Sequence, residues 1–114
     1  MSFFSSEVVR AEMTEIAELQ EQIYGNIFKF PTMTKEEKLE HVEVLERLLD
    51  KQKVLYTRMS LSDDPEAREM KERIVSSAIM MGMPPNTDMN VILNNMSRML
   101  EVMKEQIDKT GSDL

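Results

Sequence analysis

The sequence predicts an all-α protein of four helices, two long and two shorter, that pack as a bundle or a helical hairpin. Apolar residues recur at three- and four-residue spacing through most of the chain. No segment alternates apolar and polar residues over a useful length, so strands are not expected. Capping residues and prolines divide the chain into four segments. A chain of 114 residues fits one domain, so we expect residues 1–114 to form a single domain with a short polar tail at 110–114.

The first helix is expected to begin after Ser5 or Ser6, either of which can act as its cap. Gly25 weakens its last turns, and the helix is expected to end before Phe30 and Pro31. Its predicted apolar face consists of Val8, Val9, Met13, Ile16, Leu19, Ile23 and Ile27.

The second helix is predicted from Thr34, which forms a capping box with Glu37, to about Ser60. Its apolar face consists of Val42, Leu45, Leu48, Leu49, Leu55, Tyr56 and Met59. At about 100° per residue, the opposite side carries Glu36, Glu40, Glu43, Arg47 and Asp50. We expect this charged side to face water.

The third helix is expected to begin at 62–66, where Pro65 suits a first helical turn, and to end near Gly82. Its core side is predicted to hold Ala67, Met70, Ile74, Ala78 and Met81. In its second half, Val75, Ile79 and Met80 lie on other sides of the helix, and the apolar character continues into the connector at 83–86. This region is either an interface or is covered by the first and fourth helices of the same chain.

The fourth helix is predicted from a cap at Thr87 or Asp88 to about Lys109. Its apolar residues recur seven apart, which returns the same side of the helix every two turns. In a short chain such stripes are often covered by another subunit, so we expect a homo-oligomer, or contact with another protein. The predicted interface residues are Val75, Ile79, Met80, Met83, Met96, Met99 and Met103.

Composition excludes several classes of function. The chain has 14 basic and 21 acidic residues, and a net charge of −7 disfavours nucleic acids and anionic membranes as partners. It has no Cys, which excludes disulfides, thiolate catalysis and Cys-ligated metals. No run of eighteen apolar residues and no signal-peptide pattern occurs, so we expect a cytoplasmic protein.

Few residues suggest chemistry, and we expect no catalytic residue, metal or cofactor. His41 is the one histidine, and a packed role is favoured because di-iron bundles need two Glu-x-x-His pairs. Glu36, Glu37 and Glu40 resemble half of the magnesium site of all-α nucleotide pyrophosphohydrolases. The second half would have to come from Glu105 or Asp108 on another helix, so this enzyme class remains the alternative.

Three polar residues interrupt apolar stripes: Glu12, Gln20 and Gln52. We favour a role in setting helix register over catalysis. Arg58 lies just before the turn into the third helix, where it can reach acidic groups or another subunit.

Aromatic residues concentrate at the turn between the first two helices, where Tyr24, Phe28 and Phe30 lie. They either plug the end of the bundle or project as anchors for a partner, and plugging is the commoner use.

Four segments of the chain carry a family resemblance: SFFSSEVV at 2–9, YGNIFKFP at 24–31, YTRMSLSDDPEA at 56–67 and DMN at 88–90. In these segments the chain resembles the family catalogued as domain of unknown function 1825. The resemblance spans nearly the whole chain and implies a cytoplasmic protein of a cyanobacterium or of a phage that infects one. It brings no catalytic motif.

These observations predict a non-catalytic protein-binding or regulatory module that acts through a Met-rich interface. A magnesium-dependent nucleotide pyrophosphohydrolase and a phage or host structural scaffold are the alternatives.

Overall fold

A computed structural model of the protein describes residues 2–86 and 88–110. Its four α-helices are α1 (Glu7–Asn26), α2 (Lys35–Leu61), α3 (Pro65–Met80) and α4 (Met89–Thr110). Short 3-10 turns at Phe3–Ser5 and Ile27–Thr32 flank α1. These residues contain no strand, and the all-α prediction is confirmed. Residues 111–114 of the predicted tail, and Thr87 as a candidate cap, lie outside the described residues.

Side-chain capping marks the starts of α2, α3 and α4, as the sequence predicts, whereas at the start of α1 Ser6 is the cap residue but its side chain makes no capping hydrogen bond. Thr34 and Glu37 form the complete capping box of α2. Asp64 caps α3 by accepting a hydrogen bond from the Glu66 amide at 2.9 Å, and Pro65 is the first residue of that helix. Asp88 accepts from the backbone N–H two residues later, at 2.9 Å, at the start of α4. The boundaries therefore follow from side chains close to them in sequence.

Helix α2 is the central element, since α1, α3 and α4 each pack mainly against it. Helix α1 runs antiparallel to α2. Near its start, Glu12 Oε1 accepts a hydrogen bond from Arg58 Nε at 2.9 Å, and Glu15 pairs with Lys51 further along. The first two helices thus form the predicted hairpin.

Helix α4 lies along the other side of α2 and is also antiparallel to it. Lys53 donates to the Ser97 hydroxyl, and Lys104 Nζ lies 3.1 Å from Glu46 Oε1 two turns further along α4. Contacts between α1 and α4 are sparse. The three long helices therefore form one layer with α2 in the middle.

The core consists of two clusters on the two sides of α2. The α1 side joins Leu19, Ile23 and Val44. The other cluster joins α2, α3 and α4 through Leu49, Tyr56, Met59, Ala67 and Leu93. Val42 has no exposed surface, and it is the largest side chain that is fully buried among the described residues.

The N-terminal turn packs on the start of α3. Ser2 Oγ donates to Glu66 Oε2 at 2.7 Å, and the Phe3 amide donates to Asp64. The ring of Phe3 packs against the cluster between α2, α3 and α4. This contact joins the start of the chain to the turn between α2 and α3.

The molecule is flat and elongated. Its extents are 54 × 33 × 20 Å and its radius of gyration is 16.5 Å. A compact domain of this length has a radius of gyration of about 13 Å. Helix α3 packs over the α2–α4 part of the layer through Ala67, Met70 and Ile74, so only the rest of the layer has no second layer over it.

Several residues predicted to lie in the core are exposed. Val8, Met13 and Ile27 of the predicted α1 face are largely accessible, because only the side of α1 that meets α2 is covered. Met81 is also exposed, because α3 ends at Met80. The chain turns there through Gly82, whose φ of 106° is a conformation that favours glycine.

Candidate functional site

The predicted interface residues of α4 lie on a partly uncovered side of that helix. Met99 is 65% exposed and Met96 is 46% exposed, whereas Met103 is half-buried. Val91 and Val102 add two further exposed apolar side chains. An α4 that packed inside a closed bundle would cover this side, so the exposure follows from the open layer.

The predicted interface residues of α3 lie at its C-terminal end. Val75 is half-buried, and the exposure rises through Ile79 to Met80, which is 88% exposed. With Met81 and Met83 these exposed residues form what we call the terminal patch, defined as Ile79, Met80, Met81 and Met83. In the single chain Met80 and Met81 of this patch are exposed, so α1 and α4 do not cover these two side chains.

A third side of α2 is only half covered. At about 100° per residue, the ion pairs with α1 and the polar contacts with α4 lie toward the charged side of α2. Leu45, Leu48 and Gln52 point the other way, between the two flanking helices, and all three are half-buried. This side was not predicted as a surface; the width of the apolar stripe on α2 is the signal that could have indicated it.

The half-covered side of α2 continues onto both neighbouring helices. On α1, Met13 and Gln20 lie on the edge turned away from the ion pairs. On α4, the edge turned away from the polar contacts with α2 carries Ile92, Met96, Met99 and Met103. We call this surface the open face; it consists of Met13, Gln20, Leu45, Leu48, Gln52, Ile92, Met96, Met99 and Met103.

The opposite side of the layer is charged, as predicted. Glu36, Glu40, Glu43, Arg47 and Asp50 are all exposed. The ion pairs that α2 makes with α1 and α4 border this side. The two sides of the layer differ, since the acidic residues of α2 lie on one side and the other carries α3 and Lys38, whose ammonium lies 5.5 Å from the centre of the Phe30 ring.

The aromatic residues at the turn between α1 and α2 lie in two different environments. Phe30 packs near His41, with 5.5 Å between ring centres, and closes the end of the α1–α2 hairpin. Phe28 is 93% exposed and Tyr24 is also exposed. Of the three aromatic residues, only Phe30 plugs the end of the bundle. Tyr24 and Phe28 are exposed, because successive residues of the turn point in different directions.

A cleft of about 390 Å³ lies between the end of α1 and the start of α2. His41, Glu37 and Glu40 line it, together with Arg47 and Asn26. His41 is buried, in agreement with the packed role. Glu37 is held by the capping box.

Of the carboxylates of the hydrolase alternative, only Glu37 and Glu40 line this cleft. Glu36, Glu105 and Asp108 do not line the cleft, and Lys35 Nζ lies 4.0 Å from the Asp108 carboxylate and 3.0 Å from the Asp108 carbonyl. Within residues 2–86 and 88–110, no three His, Asp or Glu side chains are grouped so that they could hold a metal ion.

Glu12 lies where the pattern places it, at the apolar side of α1. Its side chain is 18% exposed and pairs with Arg58, which is 48% exposed. Glu12 Oε2 is buried without a hydrogen-bond partner. Of the two possible contacts of Arg58, the one with an acidic group of the same chain is formed.

Two pKa values depart from their ordinary range. Burial raises the pKa of Tyr56, the Asp88 carboxylate adds to this, and a hydrogen bond with Ser60 opposes it. The hydrogen bond with Glu46 raises the pKa of Lys104. Both groups lie where α2 meets neighbouring elements, so these shifts reflect packing between helices.

Among the described helices, none combines the length and apolar character needed to cross a bilayer. No curated protein and no solved structure is significantly similar to the chain. A family model described as Domain of unknown function (DUF1825) matches residues 1–107. The chain therefore belongs to this family.

Proposed function

We propose that the protein is a cytoplasmic, non-catalytic helical module that binds another protein or regulates it, and that it does so through its Met-rich surfaces as a homo-oligomer. The observation that carries this proposal is the exposure of large apolar side chains at two places, the α4 part of the open face and the terminal patch. Monomeric proteins rarely expose contiguous apolar surface of this kind unless it binds something.

The chemistry of the surface supports contact with protein. Met99 and Met80 have flexible side chains with a polarisable sulfur, and such side chains adapt to helices of varied shape. The rest of the surface is acidic, with a net charge of −7, which favours a partner with basic groups around an apolar contact.

The test is affinity purification from the native cell with variants that place a charge on each surface. Tagged wild-type protein is compared with Met80→Glu, Met99→Glu and a control on the charged side, Glu43→Gln. We expect one defined protein to co-purify with the wild type and the control, and to be lost with at least one Met variant. Recovery that no Met variant changes would refute the proposal.

The hydrolase alternative makes a separate prediction. If Glu37 and Glu40 hold magnesium, calorimetry detects binding and a nucleoside triphosphate releases pyrophosphate, with activity lost in Glu37→Gln. We expect neither magnesium binding nor turnover. The scaffold alternative would appear as a defined large assembly in light scattering.

A further inference from the structure

We propose that the cleft between the end of α1 and the start of α2 binds a small aliphatic diamine or polyamine through its ammonium groups. This site goes beyond the proposed function, because it uses none of the Met-rich surfaces and needs no protein partner. The cleft has a volume of about 390 Å³. Ligand sites in proteins range from about 300 to 1,000 Å³, so the cleft has room for a small molecule.

His41 is the observation that marks this cleft as a binding site. It is only 9% exposed, yet it lines the cleft. It packs against the Phe30 ring, but within residues 2–86 and 88–110 no hydrogen bond reaches its own ring. In the same ranges the one unpaired side-chain atom that is sealed from solvent is Glu12 Oε2, so the His41 nitrogens are accessible from the cleft. Buried polar groups are normally paired, and the acceptor nitrogen of a neutral imidazole can accept from a ligand.

Among the described residues, the polar atoms that remain for a ligand in this cleft are mostly acceptors. The Thr34 amide donates to Glu37 Oε1 at 3.2 Å, which leaves Oε2 for a ligand. Asn26 Nδ2 donates to the Gln22 carbonyl at 3.1 Å, which leaves the amide oxygen of Asn26. These bonds hold both side chains in place at the cleft. Acceptors that are fixed in advance suit a ligand that donates several hydrogen bonds, as an ammonium group does.

The charge of the lining favours a cation with two charges. Glu37, Glu40 and Glu43 line the cleft together with one basic residue, Arg47, so its charged side chains sum to −2. Such a lining repels an anion. A diamine carries two positive charges and neutralises it.

The carboxylates are too widely spaced to hold a metal ion. Six residues separate Glu37 from Glu43 along α2, which is a rise of about 9 Å. In the described parts of the chain, no three His, Asp or Glu side chains come together as metal ligands would. A cation whose two charges are separated by a carbon chain can reach carboxylates that a point charge cannot reach together.

Apolar side chains of the cleft provide a surface for that carbon chain. Ile23 and Val44 are buried and Met33 is half-buried, and all three line the cleft. Methylene groups can lie along these side chains while the ammonium groups stay with the carboxylates, as the stems of lysine side chains do on protein surfaces. The lining thus matches both parts of an aliphatic diamine.

The first experiment titrates the protein with 1,4-diaminobutane at constant pH and ionic strength. Calorimetry measures the affinity, and the NMR signal of the His41 ring reports the location, because the chain has one histidine. We expect saturable binding that shifts this signal. Magnesium chloride, a point dication, and 1-aminobutane, which has one ammonium group, are expected to bind at least about tenfold more weakly.

The second experiment compares two variants that remove the same charge. Glu40→Gln changes an exposed side chain of the cleft, so the fold is kept. Glu101→Gln is the matched control, since Glu101 is an exposed residue of α4 that does not line the cleft. We expect Glu40→Gln to weaken binding of 1,4-diaminobutane about fivefold. Glu101→Gln is expected to change it by less than about twofold, because salt screens distant charges.

Three results would overturn the inference. One is the absence of saturable binding of 1,4-diaminobutane at millimolar concentration. Another is an equal loss in Glu40→Gln and Glu101→Gln, which would mean a general attraction to the net charge of −7. The third is a lysine with both backbone ends blocked that binds as tightly as the diamine, which would assign the cleft to a side chain of another protein. Capture of a partner through Met80 is measured separately, so the proposed function can stand or fail independently of this site.

Discussion

The ion pair between Glu12 and Arg58 gives a prediction in which two substitutions at one contact have different effects. Arg58→Ala removes the partner of a carboxylate whose side chain is only 18% exposed. Glu12→Met removes the carboxylate itself and replaces it with an apolar side chain of similar volume. We expect Arg58→Ala to destabilise the protein and Glu12→Met to be neutral or stabilising.

The magnitudes follow from burial. Leaving a fully buried charge unpaired costs about 3–5 kcal/mol. Arg58 is 48% exposed, so water already screens this pair and the cost is smaller. We expect Arg58→Ala to lower the free energy of unfolding by about 1.5 kcal/mol, which corresponds to about 6 °C in Tm for a domain of this length. Glu12→Met also removes the buried Oε2 that has no partner, so its change is expected within about 0.5 kcal/mol of zero, or favourable.

The assay is urea unfolding followed by circular dichroism, at one fixed protein concentration because association would shift apparent stability. Arg73→Ala is the matched control. Arg73 pairs with Glu69 at 2.8 Å, but both side chains are mostly exposed, and the expected loss is below about 0.5 kcal/mol. The double variant that combines Glu12→Met and Arg58→Ala completes a double-mutant cycle, which measures the coupling free energy between the two side chains.

Two results would refute this reasoning. Equal losses for Arg58→Ala and Arg73→Ala would mean that burial of Glu12 does not matter. A loss of several kcal/mol in Glu12→Met would mean that the ion pair stabilises the hairpin far more than its exposure allows.

Three further predictions concern glycines, a cap and a phenol. Gly25→Ala is expected to stabilise the protein by about 0.5–1 kcal/mol, because the site has room for a methyl group and the backbone there is helical. Gly82→Ala is expected to destabilise it by about 1 kcal/mol, because Gly82 has a positive φ although its site is equally uncrowded. Urea unfolding measures both changes. Asp64→Ala is expected to cost about 1–2 kcal/mol, because the α3 cap and the contact with the Phe3 amide are lost together. The raised pKa of Tyr56 means that the folded chain keeps this proton longer than the unfolded chain. Stability is thus expected to fall as pH rises above 10.0, and to fall less in Tyr56→Phe.

Each of these has a contradicting result. Gly25→Ala and Gly82→Ala changing stability in the same direction would contradict the backbone argument. An Asp64→Ala variant as stable as the wild type would mean that solvent replaces both hydrogen bonds at no cost. Identical alkaline unfolding of the wild type and Tyr56→Phe would show that burial of the phenol does not affect its ionisation.

The helices and their boundaries could be predicted because their causes are local. Thr34 and Glu37 are three residues apart, and Asp64 precedes Pro65 directly, so the sequence contains each complete signal. The solvated side of α2 follows from helical periodicity alone.

The arrangement of the helices could not be predicted, because it depends on contacts between distant residues. The hydrogen bond from Arg58 to Glu12 joins positions 46 residues apart. Periodicity indicates which side of α1 is apolar, but not that only one neighbour covers it, and Met13 is exposed for this reason.

The candidate surfaces were predicted in part. The interface residues on α3 and α4 include exposed side chains, as expected of a surface that binds. The half-covered residues of α2 were not predicted, because Leu45 and Leu48 have the same periodicity as true core residues.

The most direct test of the account is whether a Met-rich surface is covered in solution. The protein can be labelled at its methionine methyl groups and exposed to a soluble paramagnetic agent, which broadens the NMR signals of accessible methyls. We predict that the signal of Met99 or of Met81 is protected, although these residues are 65% and 86% exposed in the single chain. Broadening of both signals as strongly as that of free methionine would contradict the account.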